Sequence, residues 1–371
     1  MKSNPNIALV HDWLTGMRGG EKVLEVLCEL FPDATLFTLV HKQGSVSPTI
    51  EKMKIKTSFL QHVPGGKEHY QHFLPLYPAA AKNLNLHDFD LVISSSHAAA
   101  KAVTVRPDAL HICYCHTPMR YIWDQYEQYF GKENAPLYMR LAVRMILGYL
   151  REWDKRTARR VNHFIANSMN VQERIKRIYQ RDSFVIYPPV DANRFIVDRG
   201  NKGYYLIVSA LVPYKRVDVA VRAFAGLNDK LVVIGQGAEL AKLKAVAKDN
   251  VTFIGWAGND ELSRYYAECK ALIFPGEEDF GIVPLEAMAS GKPVIAFGKG
   301  GLLETVAEGK TGVFFHEQTP ESLREALKES ESMQFDPEVI HSHAIQFDRS
   351  IFKKRMETYI RERWEEWKSK Q

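Results

Sequence analysis

The sequence predicts an α/β protein of two domains, each built around a parallel sheet. Short apolar runs suited to buried strands alternate with segments of helical period, which is the pattern of parallel strands joined by helices. The same alternation starts a second time after residue 200. The length of 371 residues also exceeds what one hydrophobic core usually organises. Two α/β domains account for both the pattern and the length.

The strand-like runs fall into two series. The first comprises NIALV at 6–10, ATLFTLV at 34–40, LVISSS at 91–96, HICYC at 111–115 and HFIANS at 163–168. The second comprises YYLIVSA at 204–210, KLVVIG at 230–235, NVTFIG at 250–255, KALIFP at 270–275, KPVIAF at 292–297 and TGVFF at 311–315. Such short apolar runs, bounded by polar and turn-forming residues, are typical of buried strands.

A linker separates the two series. The segment YPPVDANRFIVDRGNKG at 187–203 contains paired prolines, polar residues and glycines, which disfavour helix and central strand. The closing segment predicts one charged helix, whose Trp364 and Trp367 need a surface to cover them. We therefore expect a first domain over 1–190, a second domain over 191–346, and a C-terminal helix over 347–371 that packs back on the first domain.

Composition excludes several classes of protein. Hydrophobic residues make up 46% of the chain and charged residues 25%, which excludes a largely disordered or fibrous protein. No stretch approaches the roughly 18 apolar residues of a membrane span, and the start has no signal-peptide pattern, so we expect a cytosolic protein. The formal net charge of +5 favours anionic partners. The four scattered cysteines predict core positions, not disulfides or metal ligands.

The most informative stretch is PGEEDFGIVPLEAMASGKPVIAFGKGGLLETV at 275–306. Here a strand, an acidic turn, a helix, a second strand and a Gly-Gly turn follow in order, and ligands of open α/β sheets bind at such strand carboxyl ends. Gly281 precedes a helix that is opened by Ile282 and Val283. Because the first N–H groups of a helix lack intrahelical partners, this helix start can hold phosphate.

Glu278 lies in the acidic turn and Glu286 in the following helix, with seven residues between them. Two carboxylates so placed can face one pocket and bind two sets of hydroxyl groups. The alternative is a pair of solvated surface acids, because glutamate is common in helices and the spacing alone is a weak signal. The setting between EDFG and the Gly-Gly turn favours a functional role.

Two cations follow the first strand of the second series. Lys215 and Arg216 lie in SALVPYKRVDVAVRAF at 209–224, ahead of a helix of apolar period. Cations at a strand carboxyl end suit a diphosphate. A solvated basic turn is the alternative for an isolated Lys-Arg pair. The acidic turn in the same domain favours the functional interpretation for Lys215.

In the first series, VHDWLTGMRGGEKVLEVL at 10–27 predicts a strand, a loop and a helix, with Gly19 and Gly20 allowing close approach of backbone to a ligand. His97, Cys115 and His116 lie near the ends of later strands, where a histidine can bond a hydroxyl or relay a proton. Tight packing at the glycines and structural histidines are the alternatives.

The one sequence match to a metal-binding motif is in the wrong place for a metal site. Asp88-Phe89-Asp90 imitates the D-x-D of metal-dependent glycosyltransferases, but it comes just before an apolar strand and not after one. We interpret it as a chance match and expect neither a metal nor another cofactor.

A basic segment, 135–164, interleaves cations with apolar and aromatic residues. This pattern suits an anionic membrane surface, and it suits equally a domain-packing helix whose arginines extend to solvent. Its cations are Arg140, Arg144, Arg151, Lys155, Arg156, Arg159 and Arg160.

Together these motifs resemble the family-4 retaining glycosyltransferases of GT-B fold, in particular the bacterial O-antigen and polysaccharide mannosyltransferases. The resemblance covers nearly the whole chain. It is carried, in family order, by HDWLTGMRGGEKV near the start, CYCHTPMRYIWD at 113–124, LVPYKR at 211–216 and FPGEEDFGIVPLEA at 274–287. It implies two Rossmann-like domains facing each other across a cleft, the first binding the acceptor and the second the nucleotide sugar.

The resemblance also implies residue roles. Lys215 and Arg216 would hold the donor diphosphate, Glu278 would contact the transferred sugar, Glu286 the ribose, and His116 would approach the sugar ring. The remaining expected donor-binding residues are Gly19, Gly20, Phe280, Gly281, Ile282 and Val283. Many members carry arginine where this chain has Ala210, so phosphate binding would depend more on Arg216 and backbone N–H groups.

The expected activity is transfer of a hexose, mannose from GDP-mannose, to a glycan on a polyprenyl diphosphate in cell-surface polysaccharide synthesis. The enzyme would be cytoplasmic or peripheral at the inner leaflet of the membrane, without a nucleic-acid partner. A UDP-hexose donor and a non-catalytic sugar-nucleotide-binding protein are the alternatives. A glycan phosphorylase of similar fold would need a pyridoxal-phosphate lysine and a longer chain.

Overall fold

The computed structural model describes residues 5–124, 137–197 and 200–370, with 137–143 described by their backbone alone. The chain divides into two compact units. The first comprises Met1–Tyr187 together with Lys353–Gln371, and the second comprises Pro188–Phe352. The division falls inside the linker predicted over 187–203, of which residues 198 and 199 lie outside the described part of the chain.

Seven parallel strands form the sheet of the first unit, in the order β3-β2-β1-β4-β5-β6-β7. The order reverses between β1 and β4, which lie side by side although β2 and β3 separate them in sequence. In open α/β sheets such a switch point leaves a crevice at the strand carboxyl ends. The strands are β1 (Ile7–His11), β2 (Thr35–Thr38), β3 (Lys54–Thr57), β4 (Leu91–Ser96), β5 (Leu110–Cys115), β6 (His163–Ala166) and β7 (Ser183–Val185).

Helices join these strands. The first helix buries one face, which carries Val23, Leu24 and Leu27 at helical spacing. The sixth begins after Ser168, whose hydroxyl accepts a hydrogen bond from the Val171 amide at 3.0 Å and so satisfies one free N–H of the first turn. The helices are α1 (Gly19–Leu30), α2 (Pro48–Glu51), α3 (Tyr77–Asn83), α4 (Arg120–Trp123), α5 (Leu137–Ala158) and α6 (Met169–Tyr179).

The second unit contains six parallel strands in the order β10-β9-β8-β11-β12-β13, with its switch point between β8 and β11. The two parallel sheets confirm the predicted α/β fold class. The strands are β8 (Tyr204–Val208), β9 (Lys230–Ile234), β10 (Val251–Gly255), β11 (Leu272–Phe274), β12 (Val294–Phe297) and β13 (Gly312–Phe315). The helices are α7 (Val217–Ala223), α8 (Leu240–Val246), α9 (Asn259–Glu268), α10 (Ile282–Ala289), α11 (Leu302–Thr305), α12 (Pro320–Ser332) and α13 (Pro337–Ile345).

The last helix, α14 (Arg349–Ser369), begins in the second unit and belongs to the first unit from Lys353 onward. Tyr359 stacks on Phe184 with ring centroids 5.1 Å apart. The indole N–H of Trp367 donates to the Asp108 carbonyl at 3.3 Å. The helix therefore returns to the sheet of the first unit, beside β7.

The inner strands of both sheets are mostly buried, as expected where both faces of a parallel sheet are covered, whereas the edge strands β3, β7 and β10 are largely half-buried or exposed. All four cysteines are buried free thiols, in agreement with their predicted core positions. No helix in the described ranges combines the length and apolarity that crossing a membrane requires. Residues 135–136 of the basic segment and the side chain of Arg140 lie outside the described part of the chain.

Buried His111 predicts how the stability of the first unit depends on pH. Its side chain is fully buried, its Nε2 lies 2.9 Å from the Ser94 hydroxyl, and burial with the nearby Lys101 charge lowers its pKa to about 3. The imidazole binds a proton near pH 6.5 in the unfolded chain but only near pH 3 in the folded chain. Lowering the pH from 6.5 to 3 should therefore reduce the free energy of unfolding by up to about 1.4 kcal/mol per pH unit.

His111→Gln should reduce that slope, measured by urea unfolding between pH 7 and 5. His62→Gln changes an exposed histidine of the same unit and should keep the slope of the unmodified protein. Equal slopes for His111→Gln and the unmodified protein would contradict the prediction.

Candidate functional site

The switch point of the first unit gathers polar side chains. In the parallel pairing of β1 with β4, His11 lies directly opposite Ser95. Asp12 follows β1, His97 follows β4, and His116 follows the neighbouring strand β5. Because these strands all end at one edge of the sheet, residues that are distant in sequence meet there. We call the three histidines His11, His97 and His116 the histidine cluster; their ring centroids are 6.1 to 6.5 Å apart.

Asp12 is fully buried and organises the segment after β4. Its carboxylate accepts hydrogen bonds from the backbone N–H groups of residues 97, 98, 99 and 100, at 2.7, 3.0, 2.5 and 2.6 Å. It also lies 3.1 Å from Nδ1 of His97. Burial raises the pKa of Asp12, but His97, His11 and the backbone donors outweigh it and hold the pKa below its ordinary value.

A chain of polar contacts connects the other two histidines to a second buried acid. The Ser95 hydroxyl lies 2.8 Å from Nε2 of His116 and 3.1 Å from Nδ1 of His11. Nε2 of His11 lies 3.7 Å from Oε1 of Glu21. Glu21 also accepts from the Arg18 amide at 3.0 Å, at the start of α1. The chain thus runs from Glu21 through His11 and Ser95 to His116.

The acids beside the histidine cluster and two of its histidines differ in charge state. Burial opposes ionisation of Glu21, yet its interactions with His11 and His97 lower its pKa. Burial lowers the pKa of His97 and, more strongly, that of His116. The acids are therefore ionised at neutral pH, and His97 and His116 are neutral.

Gly19 and Gly20 open α1 next to the histidine cluster. A Cβ atom added to Gly20 would lie 3.4 Å from Cε1 of His11 and 3.6 Å from Nε2 of His116. The α1 backbone thus approaches the two imidazoles at van der Waals distance. The structure brings together Gly20, His97 and His116, which the sequence singled out, whereas Cys115 is buried in the core.

The switch point of the second unit lies between β8 and β11, and it brings Lys215 to Glu278. Their ammonium and carboxylate form an ion pair, with 16% and 22% of the side chains exposed. Nζ of Lys215 also lies 5.6 Å from the ring centroid of Phe274. A Cβ atom on Gly276 would lie 3.1 Å from Cα of Lys215, so glycine allows the two segments to approach closely. Because both side chains are partly exposed, a charged ligand can reach this ion pair and replace one of its members.

Arg216 adopts the left-handed backbone conformation, with φ of 51°. Its guanidinium donates to Asp218 at 3.2 Å and to the side chain and carbonyl of Gln318 at 3.2 and 3.3 Å. Gln318 in turn donates to the Pro275 carbonyl at 2.8 Å. Arg216 therefore connects the segment before α7 to the loop before α12, and Gln318 connects that loop to the end of β11.

Glu286 is 6% exposed and accepts a hydrogen bond from the Tyr266 hydroxyl at 2.9 Å. Glu278 and Glu286 thus have different partners, a lysine in one case and a tyrosine in the other. Ile282 and Val283 are half-buried in the first turn of α10, and Phe280 is buried. Gly281 precedes this helix with φ of 98°, a conformation that favours glycine.

The Gly-Gly turn, formed by Gly300 and Gly301, packs against the acidic turn that contains Glu278. The amide of Gly301 donates to the Glu278 carbonyl at 2.8 Å. Gly300 has φ of 68° and forms a bridge with Glu278. A Cβ atom on Gly301 would lie 2.2 Å from the Asp279 carbonyl oxygen, a distance that excludes any side chain. The position of Glu278 therefore depends on the absence of a side chain at residue 301.

Four polar residues of the first-unit site were not singled out from the sequence: His11, Asp12, Glu21 and Ser95. Three of them lie inside the motif at 10–27, and Ser95 lies at the end of a predicted strand. Polar residues at the end of a buried apolar run were the available signal. Asp90 pairs with Arg106 at 2.5 Å before β4 begins, a structural role for the D-x-D match.

Solved glycosyltransferase structures have a similar fold. Anabaena HepE in complex with UDP and glucose has a TM-score of 0.70 at 17% identity, over 96% of this chain and 99% of that chain. WaaG, a glycosyltransferase involved in lipopolysaccharide biosynthesis, has a TM-score of 0.63 at 18% identity, over 95% and 99%. At such identities the likeness shows the fold, which is GT-B.

Two family models match the sequence. Residues 190–346 match "Glycosyl transferases group 1", and residues 19–194 match "Glycosyltransferase Family 4". Together the two matches extend over residues 19–346. The chain belongs to the family-4 glycosyltransferases, as its motifs indicated.

Two curated relatives are similar over part of the chain. The O-antigen chain mannosyltransferase RfbU of Salmonella typhimurium is 32% identical over 159 residues, 40% of this chain and 45% of that protein. A GDP-mannose-dependent alpha-(1-6)-phosphatidylinositol monomannoside mannosyltransferase of Mycobacterium tuberculosis is 32% identical over 172 residues, 38% of this chain and 45% of that protein. The chain thus spans less than half the length of these curated relatives.

Gly301→Ala should destabilise the second unit, because the added methyl group cannot be placed without moving the acidic turn. A loss of roughly 1–3 kcal/mol is expected for such overpacking and should appear as a lower thermal unfolding midpoint. Gly258→Ala is the matched control, since its added Cβ atom would make an ordinary contact of 3.7 Å with Trp256. If both variants unfold at the temperature of the unmodified protein, residue 301 does not limit this turn.

Proposed function

We propose that the protein is a retaining glycosyltransferase that transfers a hexose, specifically mannose from GDP-mannose, to a hydroxyl group of a lipid-linked glycan. The reaction needs neither a metal ion nor another cofactor. Membership of the family and the mannosyltransferase names of the two curated relatives support the class of reaction and the sugar.

The arrangement at the β8/β11 switch point carries this proposal. One ammonium group, Lys215, and one carboxylate, Glu278, meet just before a helix start whose N–H groups lack intrahelical partners. An ammonium group and free amides bind a diphosphate, and a carboxylate binds sugar hydroxyls. The further donor-binding residues that we propose are Arg216, Phe280, Gly281, Ile282, Val283, Glu286, Gly19 and Gly20.

The charges match what the reaction requires. Breaking the anomeric bond places negative charge on the departing diphosphate and positive charge on the sugar. Lys215, released from Glu278 by the incoming donor, would stabilise the first charge together with the amides at the start of α10. Glu278 would then turn to the transferred sugar, and His116 would approach the sugar ring from the first unit.

The first unit has an apolar cavity that suits the non-sugar part of an acceptor. Its volume is about 390 Å³, and Trp13, Tyr77, Leu147 and Leu150 are among the residues that line it. Trp13 also packs edge-on against His97 with ring centroids 4.4 Å apart, so the cavity adjoins the histidine cluster. This neighbourhood supports an acceptor that carries an apolar group close to its reacting hydroxyl.

Helix α5 supports a position at an anionic membrane surface. Met145 and Tyr149 are 71% and 55% exposed, and Arg144, Lys155 and Arg156 are exposed on the same helix. Apolar and cationic side chains in one exposed stretch suit the headgroup region of a bilayer. We therefore propose peripheral association with the cytoplasmic face of the inner membrane.

Thermal unfolding with GDP, UDP, ADP and their sugars tests the donor. A ligand at a hundred times its dissociation constant stabilises the folded state by about 2.7 kcal/mol, and GDP-mannose should give the largest increase in unfolding temperature. A shift with uridine nucleotides alone would replace mannose by the UDP-hexose alternative, and a shift without transfer of labelled sugar would indicate a non-catalytic binding protein. Absence of any shift would contradict the proposal.

Lys215→Ala should lower kcat by roughly a hundredfold, because one preorganised donor to the leaving group contributes about 3 kcal/mol of transition-state stabilisation. The measurement is transfer of labelled sugar at saturating donor. Lys299→Ala removes an exposed lysine that pairs with Glu277 at 3.1 Å in the same acidic turn, and it should change kcat by less than about twofold. Near-normal turnover of Lys215→Ala would exclude the assigned role.

A further inference from the structure

The Ser95 hydroxyl has one proton and two imidazole neighbours, so the contact chain from Glu21 to His116 has a direction. Ser95 lies 2.8 Å from Nε2 of His116 and 3.1 Å from Nδ1 of His11. A hydroxyl that donates to one of these nitrogens must accept from the other. The protonation of one histidine therefore determines the tautomer of the other.

Glu21 selects the direction. Its ionised carboxylate only accepts hydrogen bonds, and it faces Nε2 of His11 at 3.7 Å in a buried site. A neutral His11 is more stable with its proton on Nε2, toward the carboxylate, because the other tautomer would oppose two acceptors. Nδ1 of His11 then accepts from Ser95, and Ser95 accepts from Nε2–H of His116. Nδ1 of His116 is left without a proton.

Asp12 fixes His97 in a similar way, by direct contact. Its carboxylate is ionised, held by four backbone donors and 3.1 Å from Nδ1 of His97. The proton of neutral His97 is therefore on Nδ1, and Nε2 is unprotonated. Neither this nitrogen nor Nδ1 of His116 has a hydrogen-bond partner in the described part of the chain, and both side chains are only half-buried.

We propose that Asp12 and Glu21 are positioning residues which set the tautomers of His97 and His116, so that both histidines accept hydrogen bonds from hydroxyl groups of one bound sugar. The two rings lie 6.1 Å apart between centroids, with Gly20 beside them. The identification of the ligand as a sugar rests on the proposed function; the tautomers rest on the contacts alone. The site selects polyhydroxylated ligands and needs no charge on its open face.

Imidazole ¹⁵N NMR of the full-length protein, labelled at histidine, tests the tautomers without any substrate. The His97 and His116 signals are assigned by their loss in His97→Gln and His116→Gln. At about pH 7.5, where both imidazoles are neutral, we expect His116 protonated at Nε2 and His97 at Nδ1.

Glu21→Gln should reverse the direction of hydrogen-bond donation along these contacts, because the amide can donate to Nε2 of His11. His11 would then donate to Ser95, and Ser95 to His116, whose proton would move to Nδ1. This tautomer change occurs at a residue that Glu21 does not touch, so loss of packing alone does not produce it. Glu25→Gln makes the same charge change on the same helix and should leave the tautomers as they are. Ser95→Ala should free His116 from a single tautomer.

A second measurement uses catalysis. Glu21→Gln should lower kcat/KM for the donor sugar by about tenfold, the effect of losing one hydrogen bond to substrate, while Glu25→Gln should not. A wild-type His116 protonated at Nδ1, or an unchanged tautomer in Glu21→Gln, would overturn the inference. If the tautomers change as expected but no nucleotide sugar is turned over, the proposed function fails and the tautomer control stands.

Discussion

The first-unit site depends on one buried carboxylate. Moving an ionised aspartate into a protein interior is strongly unfavourable unless hydrogen bonds replace its hydration, and Asp12 receives four from consecutive backbone amides. Those bonds tie the end of β1 to the turn after β4, two segments 85 residues apart in sequence. The same carboxylate orients His97. A change at Asp12 would therefore affect the course of the chain and the site chemistry together.

The charged side chains at the switch points of the two units differ in burial and in their partners. In the first unit the acids are buried, and the accessible groups, His97 and His116, are neutral. In the second unit Lys215 and Glu278 are partly exposed and paired with each other. A ligand that brings its own charge, such as a diphosphate, can replace one member of that pair. A ligand that brings only hydroxyl groups can be bound by neutral acceptors, which the histidine cluster supplies.

Most of the fold could be predicted from the sequence, because parallel strands buried on both faces are continuous apolar runs. All six strands of the second unit coincide with predicted runs. In the first unit β3 and β7 were missed: β3 alternates lysine with other residues at the sheet edge, and β7 has only three residues. Motifs predicted individual candidate site residues, but not the contacts between them. The pairing of His11 with Ser95 and that of Glu286 with Tyr266 connect distant segments, and local spacing carries no information about such partners.

Hydrogen-bond direction lets a buried acid act on a distant nitrogen without placing its charge there. A carboxylate in the place of His116 would bring a negative charge to the open face of this site, and a charge without a partner is costly where the dielectric constant is low. Glu21 instead lies behind His11 and Ser95, and only the orientation of protons passes along the chain. His116 therefore presents a neutral acceptor whose tautomer is as well defined as that of a residue bonded directly to an acid.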